Sequence, residues 1–439
     1  MSVSSDSSLS PLEQMLNRLH CTDLDELSLV DFVRARDHGM SLNDAAAMFK
    51  AALDYFEANG QNLYRRNILG ANGAMSEVKY PHEGIHREMI MLASNNYLGL
   101  NIHPKVVAAA REAALKYGTG ACSAPLLVGT FPLTNELERK LADFKRCEEG
   151  LVFPTGYSAN LGVISSVLGK NDVVVMDRLS HASIIDGARL SQAAIRVFRH
   201  NDPEHLDKIL ERHKDKAMRF VVVEGIYSMD GDIAPLDKIV EVCKRRNAMI
   251  MVDEAHATGV LGPQGRGTVA HFGLEGQVDL QLGTLSKSFG ATGGFVCGRF
   301  DIVNYIRYFA RSCMFSAAPS PMVLAGVLAA LEVMQEEPHL QQQLWDNSHF
   351  VHNELKRRGF VVGDTCTPII PVIVGSMKAL RQMALELHQN NVCVNSIPFP
   401  AVPHGGERIR ISLTALHTRE QLQTAVDLIE LAGKNANVI

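Results

Sequence analysis

Two short stretches of this chain carry residue types that could do chemistry together. The first, Val252-Asp253-Glu254-Ala255-His256, ends an apolar run with acids and a histidine. The second, Thr284-Leu285-Ser286-Lys287-Ser288-Phe289-Gly290, sets a lysine among hydroxyls, with Gly293-Gly294 close behind. An aldehyde cofactor needs such a lysine: the amine forms a Schiff base, the hydroxyls bind phosphate, and the glycines let the backbone approach. Read alone, Lys287 is a solvated loop lysine and Asp253 a strand-end cap.

The elements that must position these residues follow from periodicity. β-Branched runs at Asp172–Met176, Phe220–Val223, Met249–Val252 and Leu280–Gly283 alternate with helical stretches, which implies a mostly parallel sheet with helices on both faces. Glu224, Asp253 and Thr284 recur at about the ~30-residue spacing of a βαβ unit, at strand C-termini, where open α/β sheets place ligands. Earlier, Pro11–His20, Leu27–Arg36 and Leu42–Asn59 carry helix-spaced apolar positions after a Ser-rich start. Later, helix Leu340–Arg358, strand Ile369–Val374, helix Met377–Asn390, strand Ile409–Leu413 and helix Arg419–Leu431 read as a smaller α+β domain. The expected division is a helical N-terminal extension over 1–88, a large domain over 89–335 and a small C-terminal domain over 336–439.

Composition narrows the class. With 439 residues, 46% hydrophobic and 21% charged, the chain is long enough for two cores and too apolar for wholesale disorder. Forty-three Lys+Arg against 48 Asp+Glu give a net charge of -5, which lacks the basic footprint of a nucleic-acid binder. Eight cysteines without a C-x-x-C pair read as reduced thiols. The start has neither the basic residues nor the apolar core of a signal peptide, and the apolar stretch Pro321–Met334 is short of the ~20 residues of a membrane span. It reads as a buried helix, and the expected location is cytoplasmic without membrane insertion. Gly262-Pro263-Gln264-Gly265-Arg266-Gly267 lacks nucleotide-loop spacing, and none of the 17 histidines forms a metal-ligand pattern.

In family order the chain also carries Ser94-Asn95-Asn96-Tyr97-Leu98-Gly99-Leu100, Thr155-Gly156-Tyr157, Leu179-Ser180-His181-Ala182-Ser183, His200-Asn201-Asp202, Glu224-Gly225-Ile226-Tyr227-Ser228-Met229-Asp230-Gly231-Asp232 and Arg410-Ile411-Ser412-Leu413-Thr414-Ala415. With the Asp253 and Lys287 segments, this set resembles the α-oxoamine synthase family of fold-type I pyridoxal-phosphate enzymes, from about Met91 to about Leu431. The resemblance implies an α/β fold of the type I transferase class, pyridoxal 5'-phosphate as cofactor and no metal. It implies that Lys287 carries the cofactor, that Asp253 pairs with the pyridine nitrogen, and that His181 stacks on the ring. A histidine after a strand otherwise caps a helix.

Thr155, Gly156 and Tyr157 precede a helical stretch and could meet the phosphate at its positive end, with Thr284 and Ser286 adding hydroxyls. Ser228 and His256 match the family's donors to the phenolic oxygen. Arg410, with Asn96, would hold the substrate carboxylate, whereas Arg408 reads as a solvated charge. Ser316 stands where the family reaches the neighbouring subunit's phosphate, which implies a homodimer. The implied reaction is a decarboxylative condensation of a small α-amino acid with an acyl thioester, carried by CoA or acyl carrier protein, giving an α-amino ketone. An aminotransferase, a non-decarboxylating acyltransferase and a silent regulatory subunit are the alternatives. In Gly118–Thr130 the run Ala124-Pro125-Leu126-Leu127-Val128 replaces a charge common in relatives, so an apolar acyl pocket and a medium or long chain are expected.

Overall fold

Seven short strands build the main sheet of the computed structural model, which describes residues 17, 19, 24–79, 86–364 and 366–439. They are β1 (Glu149–Phe153), β2 (Val173–Asp177), β3 (Ala194–Phe198), β4 (Arg219–Glu224), β5 (Met249–Asp253), β6 (Leu280–Thr284) and β7 (Gly294–Gly298), in the order β1-β7-β6-β5-β4-β2-β3. Strand β7 runs antiparallel to both neighbours, and the remaining pairs are parallel. Side chains alternate between faces: Val174, Met176, Val222 and Met251 pack into one apolar cluster, and Val173, Val175, Val223 and Val252 into another. Burial on both faces is why these strands read as continuous apolar runs.

The four runs read from the sequence are β2, β4, β5 and β6, shifted by a residue or so. The strands missed are β1, β3 and β7. Strand β3 is an edge strand with Arg196 and Val197 exposed, so it lacks the apolar run, and β7 is bounded by glycines. The stretch from Pro321 is the buried helix expected, Pro321–Glu336, with Pro321 in its first turn and Ser320 accepting from the Val323 N–H.

The C-terminal elements are helix His339–Arg357, strand β8 (Ile369–Ile373), helix Met377–Gln389, strand β9 (Asn395–Ile397), strand β10 (Arg408–Ser412) and helix Arg419–Asn435, the expected order with β9 added. Strand β10 lies between β8 and β9, antiparallel to both. The N-terminal part departs from expectation. Helices Leu29–Asp37 and Leu42–Ala58 are present, but Asn67–Ile68, Met75–Lys79 and His86–Met91 then form an antiparallel ribbon, and Val392–Cys393 pairs with Ile90–Met91. The segment is therefore not wholly helical, and a boundary after residue 88 cuts a strand that joins the C-terminal part. Charged Glu77, Lys79, Arg87 and Glu88 mask its alternation. The helix expected over Pro11–His20 lies outside the described residues apart from Asn17 and Leu19.

Candidate active site

The C-terminal ends of β4, β5 and β6 deliver Glu224, Asp253 and Thr284 to one edge of the sheet, with Glu224 and Asp253 paired in register. Asp253 is buried and held in place: its oxygens accept from Asn160 Nδ2 at 2.7 Å and from the Ala255 N–H at 2.9 Å. Asn160 also donates to Ser183 Oγ at 3.0 Å, which ties the carboxylate to the helix Ala182–Ser191. Burial, with Asp253 alongside, pushes the Glu224 carboxyl well above the usual carboxylate range. Glu224 accepts from the His181 N–H at 2.6 Å, and His181 Nδ1 meets Ser183 Oγ at 2.8 Å. The exposed His181 ring lies edge-on to Tyr157, centroids 6.3 Å apart. His181 caps its helix, its Nδ1 accepting from the Ser183 N–H at 3.3 Å, as one of the two sequence readings has it.

Lys287 is half-buried, and burial lowers its pKa against the attraction of Asp253 and Glu224, with Arg410 adding to the lowering. A lysine so placed is a better nucleophile and base at neutral pH. Thr155 opens the helix Gly156–Val167 and accepts from the Ser158 N–H at 3.0 Å. A Cβ on Gly156 would lie 2.9 Å from the Thr284 side chain, and one on Gly294 2.6 Å from the Thr155 carbonyl. The helix N-terminus and the Thr284–Ser286 hydroxyl pair, 2.8 Å apart, therefore share one glycine-lined cradle. A strand-end carboxylate, a lysine and an anion cradle fit a pyridine aldehyde phosphate.

The facing wall comes from strand β10. Arg410, 9% exposed, donates to the Ser228 carbonyl at 3.1 Å and approaches Asn95 Oδ1 at 3.5 Å, while its buried Nε has no partner among the described residues. An unpaired guanidinium N–H suits an incoming carboxylate. Asn96, the sequence candidate, points elsewhere: its Nδ2 donates to the Asn72 carbonyl at 3.0 Å and Asn101 Oδ1 at 2.6 Å. Asn95, its neighbour in the same motif, stands beside Arg410. Arg408 is not solvated; it is buried and bridges to Asp230 at 2.6 Å and the Met229 carbonyl at 3.1 Å. Thr367 Oγ1 adds a bond to the Gly231 carbonyl at 2.8 Å, so Thr367, Arg408 and Arg410 together grip the turn that carries Ser228.

His256 is buried and its Nδ1 lies 2.7 Å from Tyr97 Oη. Burial, then the charges of Lys287 and Arg410, hold it well below the ordinary histidine range, so it is neutral. Asn160, Asn95 and Tyr97 were not singled out from the sequence; Asn95 and Tyr97 lie inside a quoted motif, whereas nothing flags Asn160 four residues into its helix.

Two sequence candidates are not gathered into the site of this chain. Ser316 follows the short helix Arg311–Met314, and its N–H reaches the Cys313 carbonyl. Leu127 and Val128 of the apolar run are 76% and 84% exposed, and Pro125 and Leu126 instead line a small cavity with Glu138, Arg307 and Cys313. Within one protomer the run builds no closed acyl wall, because Leu127 and Val128 project from a tight turn in which the Leu127 and Gly129 N–H groups both bond the Ala124 carbonyl.

A family described as aminotransferase class I and II matches residues 87–429. The 8-amino-7-oxononanoate synthase 1 of Bacillus velezensis is 42% identical over 390 residues, covering 89% of this chain and 98% of that protein. A serine palmitoyltransferase solved with its PLP internal aldimine superposes with a TM-score of 0.86 at 36% identity, over 91% of this chain and 100% of that one. An 8-amino-7-oxononanoate synthase from Francisella tularensis superposes at 0.70 and 27% identity, over 80% and 99%.

Proposed function

The chain belongs to the α-oxoamine synthase family of fold-type I pyridoxal-phosphate enzymes, and from that premise we propose how its residues divide the work. It is a PLP-dependent acyltransferase that condenses an amino acid with an acyl thioester and releases CO₂. When bound, pyridoxal phosphate supplies the aldehyde that takes the amino group and the protonated pyridine that draws electrons from Cα. Asp253, fixed by Asn160 and the Ala255 N–H, holds that pyridine proton. The Thr155–Tyr157 helix start, Thr284 and Ser286 bind phosphate. His181 covers one ring face, and Ser228 and His256 donate to the phenolic oxygen.

Lys287 anchors the cofactor and, once its amine is released, takes the Cα proton; its lowered pKa suits that base role. Arg410, with Asn95 in place of the Asn96 first expected, clamps the substrate carboxylate and sets which Cα bond stands perpendicular to the ring. The observation that carries this reading is the opposition of Lys287 and Asp253 on the sheet edge to an incompletely paired Arg410 on the small domain. Lys287, Asp253, His181 and Arg410 together argue against a silent subunit.

The active unit is proposed to be a homodimer, supported by the exposed aromatics Phe300, Tyr305, Tyr308, Phe309 and Phe315 within one short stretch of the chain, with Ser316 completing the other protomer's phosphate site. Among the described residues no helix is long and apolar enough to cross a membrane, and seven cysteines are unpaired; a cytoplasmic setting suits both. The proposed donor is a medium or long acyl thioester, which requires the exposed Leu127 and Val128 of the apolar Ala124–Val128 run to line the pocket across the proposed dimer. A mass-spectrometric screen of each small amino acid against thioesters of increasing length tests this. If four added methylenes were buried, roughly 3 kcal/mol, or about a hundredfold in kcat/KM, should follow. A flat profile, or a maximum at a short dicarboxylic donor, overturns the chain-length reading.

A further inference from the structure

We propose that Tyr97 is a positioning residue that fixes the ring tautomer of His256, so that His256 presents an N–H, not a lone pair, to the cofactor. The proposal rests on reading His256 as a donor to the cofactor's phenolic oxygen, and it adds a role for a residue that reading leaves idle.

Tyr97 has 0% exposure, and its Oη lies 2.7 Å from His256 Nδ1, the rings meeting edge-on with centroids 6.1 Å apart. Two neutral arrangements satisfy that distance. In one, the phenol donates to Nδ1 and the ring proton sits on Nε2. In the other, Nδ1–H donates to the phenol oxygen and the phenol hydrogen needs a second acceptor. Among the described residues Tyr97 Oη has no other hydrogen-bond partner, and a buried hydroxyl hydrogen without an acceptor is disfavoured. Burial also keeps the phenol protonated, its pKa raised far above the ordinary value. A charged imidazolium is opposed by burial, Lys287 and Arg410. The first arrangement remains, and it leaves Nε2–H as the free donor.

The placement couples two tasks through one loop. Asn95 stands beside Arg410, where the substrate carboxylate binds, and Tyr97, two residues on, holds His256. Loss of the phenol would free Nδ1, let the ring exchange tautomers, and offer a lone pair to a phenolic oxygen that needs a donor.

The test uses the cofactor-free chain with ¹⁵N-labelled histidine, with His256→Gln assigning the His256 signals. The expected result is a neutral Nε2–H ring from roughly pH 6 to 8 whose Nδ1 accepts a hydrogen bond; in Tyr97→Phe the Nδ1 signal moves to that of an unbonded nitrogen and the Nε2–H fraction falls. An Nδ1–H ring in the wild type, or signals unchanged in Tyr97→Phe, overturns the proposal. In the loaded protein, Tyr97→Phe should shift the pH midpoint of the visible cofactor band by about one unit, and should add nothing in a His256→Gln background. A full shift in that background shows that Tyr97 acts by another route and overturns the proposal. If the apo signals behave as expected but no cofactor is taken up, the functional reading falls and the tautomer assignment stands.

Discussion

At the scale of single residues, Lys287 bears the heaviest assignment. Lys287→Ala should abolish turnover and the visible band of bound cofactor while leaving the circular dichroism spectrum intact, since the residue is half-buried and its amine has no hydrogen-bond partner among the described residues. Near wild-type turnover would refute the role. Asn95 and Asn96 separate cleanly: Asn95→Ala should raise KM for the amino acid about tenfold, whereas Asn96→Ala should mainly lower thermal stability, because Asn96 ties Asn72 to Asn101. The reverse pattern would restore the first expectation. His200, caught between Asp177 at 2.9 Å and Asp232 at 2.6 Å, is pushed up to about 10 although burial opposes its charge. The folded chain thus holds this proton more tightly than the unfolded chain, where histidine titrates near ~6.5. Its contribution is complete below that value and drains away as pH rises toward 10; denaturant midpoints of wild type and His200→Asn should converge over that range. The sequence made Lys287, Asp253, His181 and Arg410 legible because each sits in a run of distinctive residue types. It could not separate Asn95 from Asn96, since adjacent asparagines differ only in which way the loop turns them.

At the scale of elements, the grip of β10 on the Ser228 turn is the feature that joins the C-terminal strands to the main sheet at the site. Arg408→Met removes the bridge to Asp230 and the bond to the Met229 carbonyl. It should cost about 2 kcal/mol in stability and raise KM for the amino acid, because the turn that Arg410 also binds loses its anchor. Unchanged stability by denaturant titration would show the bridge to be incidental. The N-terminal helices dock differently: Arg381, on the helix Met377–Gln389, donates to the Leu24 and Leu27 carbonyls at 3.0 and 2.8 Å and lies over the Phe56 ring. Arg381→Ala should speed proteolysis near residue 60 without altering kcat, since nothing in that contact reaches the sheet edge. The central strands were legible because burial on both faces leaves uninterrupted β-branched runs. The paired strands Met75–Lys79 and His86–Met91 were not, because charges interrupt their alternation and the partner of Ile90, Val392, lies 302 residues along the chain.

At the scale of the whole molecule, the proposed homodimer draws Ser316 into each site from the second copy. Mixing Lys287→Ala with Ser316→Arg protomers should restore activity, since each mixed dimer then holds one site with both residues intact; no recovery would place Ser316 outside the site. The sequence alone could not show that Tyr308 and Phe315 are exposed, because aromatics look like core residues until the fold places them at the surface. The central claim is a reaction: one amino acid and one acyl thioester joined with loss of CO₂. The most direct measurement supplies carboxyl-¹³C amino acid with an acyl thioester and counts labelled CO₂, free thiol and α-amino ketone together. The three should appear in equal amounts and all be absent in Lys287→Ala. Conversion of the amino acid to a keto acid, with the label retained and no thiol released, would contradict it and identify an aminotransferase.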